Sequence, residues 1–407
     1  MIINKIRNQG YLFLLSGNII FTINQFCVLI LLNRTGDLSL VGTYSLYLSI
    51  VSPISMLANL KLKSYILANK DKRNVLLSFR LLFSLIVDVF FIVVVVGFIL
   101  SGFLELHNGL LLVFILLIKS IENKSEAYNA KVQIDLGIKV AGQLVFIKNI
   151  LILTSFVVSF LLTQSILISL FLWFLISFIF FRYVEKRRGG VINIDSKFTF
   201  SDLKKYLLVL IPLGIAQFFI SINANVPRYF LNSFGTLTEV GLFSTLSYFA
   251  IATNVIATTI QQIFIPRIEE KLRNEAVPRY RKKIVKQMFF LLLSILFLGW
   301  ISISLISIKI IPLILGNDYS EYIIEFSILL AATFIIYIGW FLDVILLIVN
   351  RLTIIRKAEI LRGITIIVIC LIFIVNDKFD MTYAVYSLFF ASLLQMIFKL
   401  FFSFKYL

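Results

Sequence analysis

The chain has 407 residues, 60% of them hydrophobic and 14% charged, with a mean hydropathy of +1.00. Soluble domains carry roughly half apolar and about a quarter charged residues, so this composition excludes a water-solvated globule. The formal net charge of +17 would point to nucleic acid in a soluble protein, but here Lys and Arg follow loops on one side of a series of apolar segments, so membrane orientation accounts for them and no nucleic-acid partner is expected.

Crossing roughly 30 Å of hydrocarbon takes about 20 apolar residues in a helix. The segments that qualify, in chain order, are 10–33, 38–60, 75–103, 109–130, 140–163, 165–183, 206–231, 239–265, 284–312, 322–350, 358–376 and 381–402. The expected fold class is therefore all-α integral membrane, with about 12 transmembrane helices. The first segment follows Lys5 and Arg7 as a signal peptide would. It lacks a small-residue cleavage site and is long enough to span, so it reads as a retained helix. The fourth is interrupted by Lys119, Glu122, Lys124 and Glu126.

The stretches Lys61 to Arg73, Lys131 to Lys139, Arg182 to Lys205, Arg267 to Lys283 and Arg351 to Lys357 are basic, while the turns around Asp37, Glu105, Glu239, Asp318 and Asp377 are short and mostly acidic. Four of the 38 Lys/Arg residues, Arg34, Arg228, Lys309 and Lys378, fall at the opposite side. This asymmetry places the basic loops and both termini in the cytoplasm. Cys27 and Cys370 lie far apart in apolar segments and His107 is the single histidine, so neither a metal site, a disulfide framework nor a cofactor is expected.

The longest polar stretch, 185–205, contains Gly189-Gly190 and Asp195-Ser196 and reads as a cytoplasmic linker between two six-helix bundles, 1–184 and 206–407. An internal repeat supports duplication. Residues 23–50 align without gaps to 222–249 at an offset of 199, with nine of 28 positions identical, among them Asn33/Asn232, Gly36/Gly235, Val41/Val240, Gly42/Gly241 and Ser45/Ser244. A repeat of six helices in the same orientation implies two lobes with pseudo-two-fold symmetry about the membrane normal, a transporter architecture.

Polar stripes mark the repeat-related helices. Asn18, Thr22 and Gln25 share one face of the first span; Gln217, Ser221 and Arg228 share one face of the seventh, with Asn225 beside them. The second span carries Ser45, Ser49, Ser52 and Asn59, and the eighth Ser247, Asn254, Thr258 and Gln261. Single hydroxyls of this kind often serve interhelical hydrogen bonds, whereas four stripes in related helices fit a wet central cavity. Charges inside spans are costly and mark functional or paired sites. Asp88, Lys119, Glu122, Glu126, Arg228, Glu325 and Asp343 are such charges; Lys119, Glu122 and Glu126 share one helix face, where they could neutralise one another or meet substrate. Asp88, Asp343, Glu122 and Glu126 are candidates for ion coupling, because a carboxylate in low dielectric can exchange a proton near neutral pH. Arg80 and Glu325 lie near span ends, where Arg80 can snorkel and Glu325 can sit at the interface. Pro53, Pro212 and Pro227 are candidate kinks.

Pro212-Leu-Gly214, Pro227-Arg228-Tyr229, Gly241-x-Phe243-Ser244 and Tyr248, with Asn59-Leu-Lys-Leu-Lys63 and Glu122-x-x-Ser125-Glu126, resemble the polysaccharide (O-antigen and capsule) flippases of the multidrug/oligosaccharidyl-lipid/polysaccharide (MOP) exporter superfamily. Asn129 departs from the pattern, which often has a Tyr-Gly pair near that point. The resemblance implies two six-helix bundles around a cavity, alternating access, and an undecaprenyl-pyrophosphate-linked oligosaccharide as substrate in a bacterial cytoplasmic membrane. Expected partners are that lipid, bulk membrane lipids, a coupling H+ or Na+, and polysaccharide polymerase machinery. The substrate-binding set is Arg228, Gln217, Ser221, Asn225, Asn18, Thr22, Gln25, Asn254, Gln261 and Lys119, with Arg228 gripping the pyrophosphate or an acidic sugar through its guanidinium fork. The chain carries no P-loop motif. The rival readings are a multidrug or cation exporter of the same fold, which Arg228 disfavours, and a polysaccharide polymerase or ligase, which the short outer turns disfavour; the chain is not expected to be an enzyme.

Overall fold

The computed structural model describes residues 2–35, 37–68, 73–188, 200–253, 278–349, 351–376 and 379–406. The described residues form helices α1 Ile2–Arg34, α2 Leu38–Asn59, α3 Leu62–Ala68, α4 Arg73–Leu100, α5 Leu106–Asp135, α6 Ile138–Thr163, α7 Ile166–Phe180, α8 Phe200–Phe234, α9 Leu237–Ala252, α10 Pro278–Leu315, α11 Ile323–Ile348, α12 Leu352–Val375 and α13 Met381–Tyr406. Eleven of them are long and apolar enough to span a bilayer, and α9 is a further apolar helix of 16 residues. Large apolar side chains such as Phe90, Leu100, Leu162 and Leu298 stand exposed, the arrangement a hydrocarbon solvent permits and water does not.

Helix starts follow local chemistry that the repeat duplicates. Asp37 Oδ1 accepts from Ser39 Oγ at 2.6 Å and from the Ser39 and Leu40 amides at 3.0 and 3.2 Å, which caps α2. The Ser39 hydroxyl, then the Leu40 amide, hold this carboxyl below its usual range. At the repeat-related position, Thr236 and Glu239 form a capping box on α9, Glu239 N donating to Thr236 Oγ1 at 3.2 Å and Thr236 N to Glu239 Oε2 at 2.8 Å.

Several boundaries differ from the sequence expectation. The basic stretch after α2 is not all loop: α3 forms there because Leu62 and Ile66 bury against Leu76, Phe79 and Tyr128. The α7 helix continues through a π-helical turn, Phe181–Glu185, to Arg188, so Glu185 belongs to a helix and is buried rather than opening the linker. The α5 helix runs unbroken through its charges, because they are paired: Lys119 Nζ lies 2.8 Å from Glu122 Oε2, and Lys124 Nζ 2.9 Å from Asp88 Oδ2. Arg80 does not snorkel. It is 1% exposed and its Nη1 donates to the Ala58 carbonyl.

The chain divides into two compact units. One comprises Met1–Leu31 and Tyr47–Ser221, the other Leu32–Leu46 and Ile222–Leu407. The boundaries of these units fall within α1, α2 and α8. In the first unit α5 is the central helix, packed against α3, α4, α6 and α7. In the second, α11 packs against α9, α10 and α13, and α12 lies against α13.

The second unit holds residues 32–46 from the first arm of the repeat together with the whole second arm, and its packing explains why. A Cβ on Gly42 would lie 1.9 Å from the Leu237 carbonyl oxygen, and one on Gly241 would lie 2.5 Å from the Leu38 carbonyl oxygen. Leu38 and Leu237, like Gly42 and Gly241, are related by the offset of 199. The contact is therefore reciprocal, as a two-fold between duplicated helices requires, and only glycine admits backbones this close. Beside it, buried Asn33 donates from Nδ2 to Thr245 Oγ1 at 3.2 Å and accepts from the Tyr319 hydroxyl.

Candidate substrate-binding cleft

The first unit holds two adjoining polar cavities of about 410 and 230 Å³. The α5 helix supplies their common wall, because Lys119, Glu122, Asn123 and Glu126 recur at three- and four-residue spacing and share one face. Ser52, Ser55 and Asn59 of α2, Gln217 of α8 and Phe21 of α1 complete the larger cavity. Asn18, Lys148, Asn149 and Ser177, from α1, α6 and α7, line the smaller one.

Hydrogen bonds organise this wall. Asn59 Nδ2 donates to Asn123 Oδ1 at 2.6 Å and to Glu126 Oε2 at 2.9 Å, and Asn123 Nδ2 donates to Ser55 Oγ at 2.9 Å. Lys119 Nζ, besides pairing with Glu122, sits 5.9 Å from the centre of the Phe21 ring. Lys63 Nζ is 3.9 Å from Glu126 Oε1. The turn after α2 places Leu60 and Lys61 at φ 57 and 52, a left-handed pair that costs non-glycine residues about 1–2 kcal/mol each. It turns the chain so that Lys61 and Lys63 both border the larger cavity. In the smaller cavity Lys148 Nζ donates to Ser125 Oγ and lies 3.2 Å from Glu185 Oε1, which also accepts from Ser125 Oγ at 2.7 Å. Lys119, Lys63 and Lys148 thus face Glu122, Glu126 and Glu185, and Lys61 on the larger cavity leaves the cleft one positive charge in excess, suited to phosphate.

Of the residues expected from sequence, Asn18, Gln217, Lys119, Glu122 and Glu126 meet in this cleft. Thr22 spends its hydroxyl on its own helix, donating to Asn18 O at 3.0 Å. Gln25 is half-buried and Ser221 buried, and neither lines these cavities. Asn254 and Gln261 lie outside the described residues.

Arg228 and Asn225 belong to the second unit. Arg228 is 4% exposed; its Nε donates to Ser244 Oγ at 2.8 Å, and its Nη1 donates to Asn225 Oδ1 at 2.6 Å and Ala224 O at 3.3 Å. Phe243 and Tyr248 present their rings 5.5 and 5.3 Å from its Cζ. It neither snorkels nor pairs with Glu239. Asp88 holds Lys124 and accepts from Ser120 Oγ at 2.5 Å. Asp343 lies 2.9 Å from buried Lys399 Nζ, which also reaches Glu359 Oε1 at 3.2 Å. Glu325 accepts from Thr382 Oγ1 at 3.2 Å and its other oxygen is buried, so it is not simply interfacial.

Sequence reasoning missed Lys148, Asn149, Asn123 and Ser177 at the cleft, and the cluster of Glu359 and Lys399 elsewhere. The available signal was the same one that flagged Asp88: Lys148, Glu359 and Lys399 all fall inside apolar spans.

No protein-family model matches the chain. It is 28% identical over 348 residues to the capsular polysaccharide biosynthesis protein CapF of Staphylococcus aureus, covering 83% of this chain and 84% of that one. Its fold matches a mutant of the Vibrio cholerae MATE transporter VcmN with a TM-score of 0.59, 10% identity, and coverage of 98% of this chain and 97% of that one. It also matches a MOP superfamily transporter from Pyrococcus furiosus, described as having a binding pocket of reversed polarity, with a TM-score of 0.55, 10% identity, and coverage of 98% and 94%.

Proposed function

We propose that this multi-pass membrane protein, which has the MATE-type transporter fold of the MOP superfamily, is a flippase for undecaprenyl-pyrophosphate-linked oligosaccharide in a bacterial cytoplasmic membrane, working by alternating access in surface polysaccharide synthesis. The observation that carries the reading is the lysine-rich cleft of the first unit, taken with the likeness to a capsular polysaccharide biosynthesis protein. A pyrophosphate needs a hydrated cationic route, which Lys61, Lys63 and Lys119 supply, while amide and carboxylate side chains beside them offer hydrogen bonds to sugar. The polyprenyl tail can stay in the bilayer. A cation exporter needs the opposite polarity, and a polymerase needs an acid, a base and an electrophilic group assembled at one face.

In this reading the duplicated halves 1–184 and 206–407 are the moving lobes, and both termini are cytoplasmic. Arg228 contacts the pyrophosphate or an acidic sugar once it exchanges Ser244 and Asn225 for substrate oxygens. Asp88 and Asp343 couple movement to H+ or Na+ by releasing their lysine partners.

Proteoliposomes containing the purified protein test the proposal. They are expected to move undecaprenyl-pyrophosphate-linked oligosaccharide between leaflets and to leave a lipophilic cation such as ethidium untransported; the reverse pattern would establish the exporter reading. In the same vesicles Arg228→Ala should abolish movement and Arg228→Lys restore it in part. Asp88→Asn and Asp343→Asn should reduce only the gradient-dependent fraction, and full gradient response in both variants would remove the coupling role.

A further inference from the structure

The residues that line the smaller cavity of the first unit include several with an unmatched buried acceptor. Asn129 and Asn149 are 3% and 2% exposed, and both line it. Asn129 Nδ2 donates to Ala141 O at 3.0 Å, and Asn149 Nδ2 donates to Gly17 O at 3.0 Å. A backbone carbonyl can only accept, so these bonds set each amide's orientation, with the second N–H of each Nδ2 still a donor and Oδ1 the acceptor. Neither oxygen has a partner, nor do Ser177 Oγ and Glu122 Oε1 on the same cavity. The neighbouring donors face other acceptors: Lys63 Nζ lies 3.9 Å from Glu126 Oε1, Lys148 Nζ donates to Ser125 and Glu185, and Asn123 Nδ2 donates to Ser55. Buried acceptors left unmatched are costly and uncommon singly. Several around one cavity call for a ligand rich in donors.

We infer that this cavity is the sugar subsite, and that it takes a neutral ring bearing hydroxyl or amide N–H donors and rejects a ring bearing a carboxylate. The inference rests on the flippase reading, which seats the pyrophosphate against the lysines of the larger cavity. The two cavities share Phe21, Lys63, Glu122, Asn123 and Glu126, so a ring attached to that phosphate enters the smaller one. Its hydroxyls donate to Asn129 Oδ1, Asn149 Oδ1 and Glu122 Oε1. A uronic acid offers acceptors where donors are wanted, and adds a negative charge to a cavity whose two lysines, Lys63 and Lys148, already face Glu126 and Glu185. Sites that match buried polar groups discriminate strongly against ligands that leave them unmatched.

The test compares three probes on the purified protein in detergent: undecaprenyl pyrophosphate alone, its N-acetylglucosamine conjugate and its glucuronic acid conjugate. Binding is read by ligand-dependent thermal shift and movement by proteoliposome assay. The wild type is expected to bind the neutral conjugate at least about tenfold more tightly than the acidic one. Glu122→Gln keeps an oxygen for Lys119 and can turn an N–H2 toward the cavity in place of the unmatched acceptor, so it should shrink that ratio several-fold. Equal affinity for the two conjugates in the wild type, or an unchanged ratio in the variant, overturns the subsite. Equal movement of all three probes overturns it too while leaving the flippase reading intact. Neutral preference in binding without movement across the bilayer sustains the subsite and sinks the flippase reading.

Discussion

Replacing Lys399 with Met is expected to destabilise the protein by about 3–5 kcal/mol, the cost of breaking a buried ion pair by removing one partner. Lys399 is 1% exposed, and its ammonium lies 2.9 Å from the Asp343 carboxylate and 3.2 Å from Glu359 Oε1. It thus reaches from α13 to both α11 and α12. Nearby, Asn223 Nδ2 of α8 donates to Glu359 O at 2.9 Å and packs onto Gly363, where a Cβ would meet Asn223 Oδ1 at 2.4 Å. Methionine preserves the length and apolar stem of lysine, which confines the change to charge and hydrogen bonds. Thermal unfolding of the detergent-purified variant measures the loss. Adding Asp343→Asn to Lys399→Met should recover part of it by removing a carboxylate that the ammonium faced, and a double variant no more stable than the single one would show that the pairing is not what the lysine contributes.

The second large effect is expected at the reciprocal glycine contact. Gly42→Ala puts a methyl carbon where the Leu237 carbonyl oxygen stands, 1.9 Å from it, and Gly241→Ala puts one 2.5 Å from the Leu38 carbonyl oxygen. Both obstacles are backbone atoms, so no side chain can rotate away and α2 and α9 must separate. Overpacking of this kind costs about 1–3 kcal/mol and occasionally more; the shorter approach makes Gly42→Ala the worse of the two. Because the positions sit at one crossing, separation forced by the first methyl makes room for the second, and the double variant should lose less than the sum of the singles. Melting temperatures of the three variants in detergent decide this. Additive losses, or no loss at Gly42, would mean that the helices do not cross there.

How far the sequence reaches can be judged from particular residues. The length of each apolar run is enough to identify the spans, because bilayer thickness is an external ruler that needs no knowledge of neighbours. The offset that pairs Leu38 with Leu237 and Gly42 with Gly241 was legible as well, since duplication is a property of the string of letters. So was the common face of Lys119, Glu122 and Glu126, which follows from helical period alone. What the string does not contain is which helices become neighbours. Lys399 lies inside a span just as Asp88 does, yet only the packing of α13 against α11 and α12 brings it to Asp343 and Glu359.

The same limit separates Arg228 from Lys119. Both are cations within apolar runs, but α8 buries the first among neutral partners in the second unit, while α5 brings the second to the cleft of the first. Asn129 and Asn149 mark the limit most clearly. Their identity is plain in the sequence, but which way each amide turns depends on the Ala141 and Gly17 carbonyls that each take one of its N–H groups. Span, duplication and helix face are one-dimensional properties that the sequence by itself determined, because they depend on local period and on the thickness of the solvent slab. Pairing of buried charges and the polarity of the cavity were decided by tertiary structure, because a charge or an amide in low dielectric takes its role from the partner within hydrogen-bond reach.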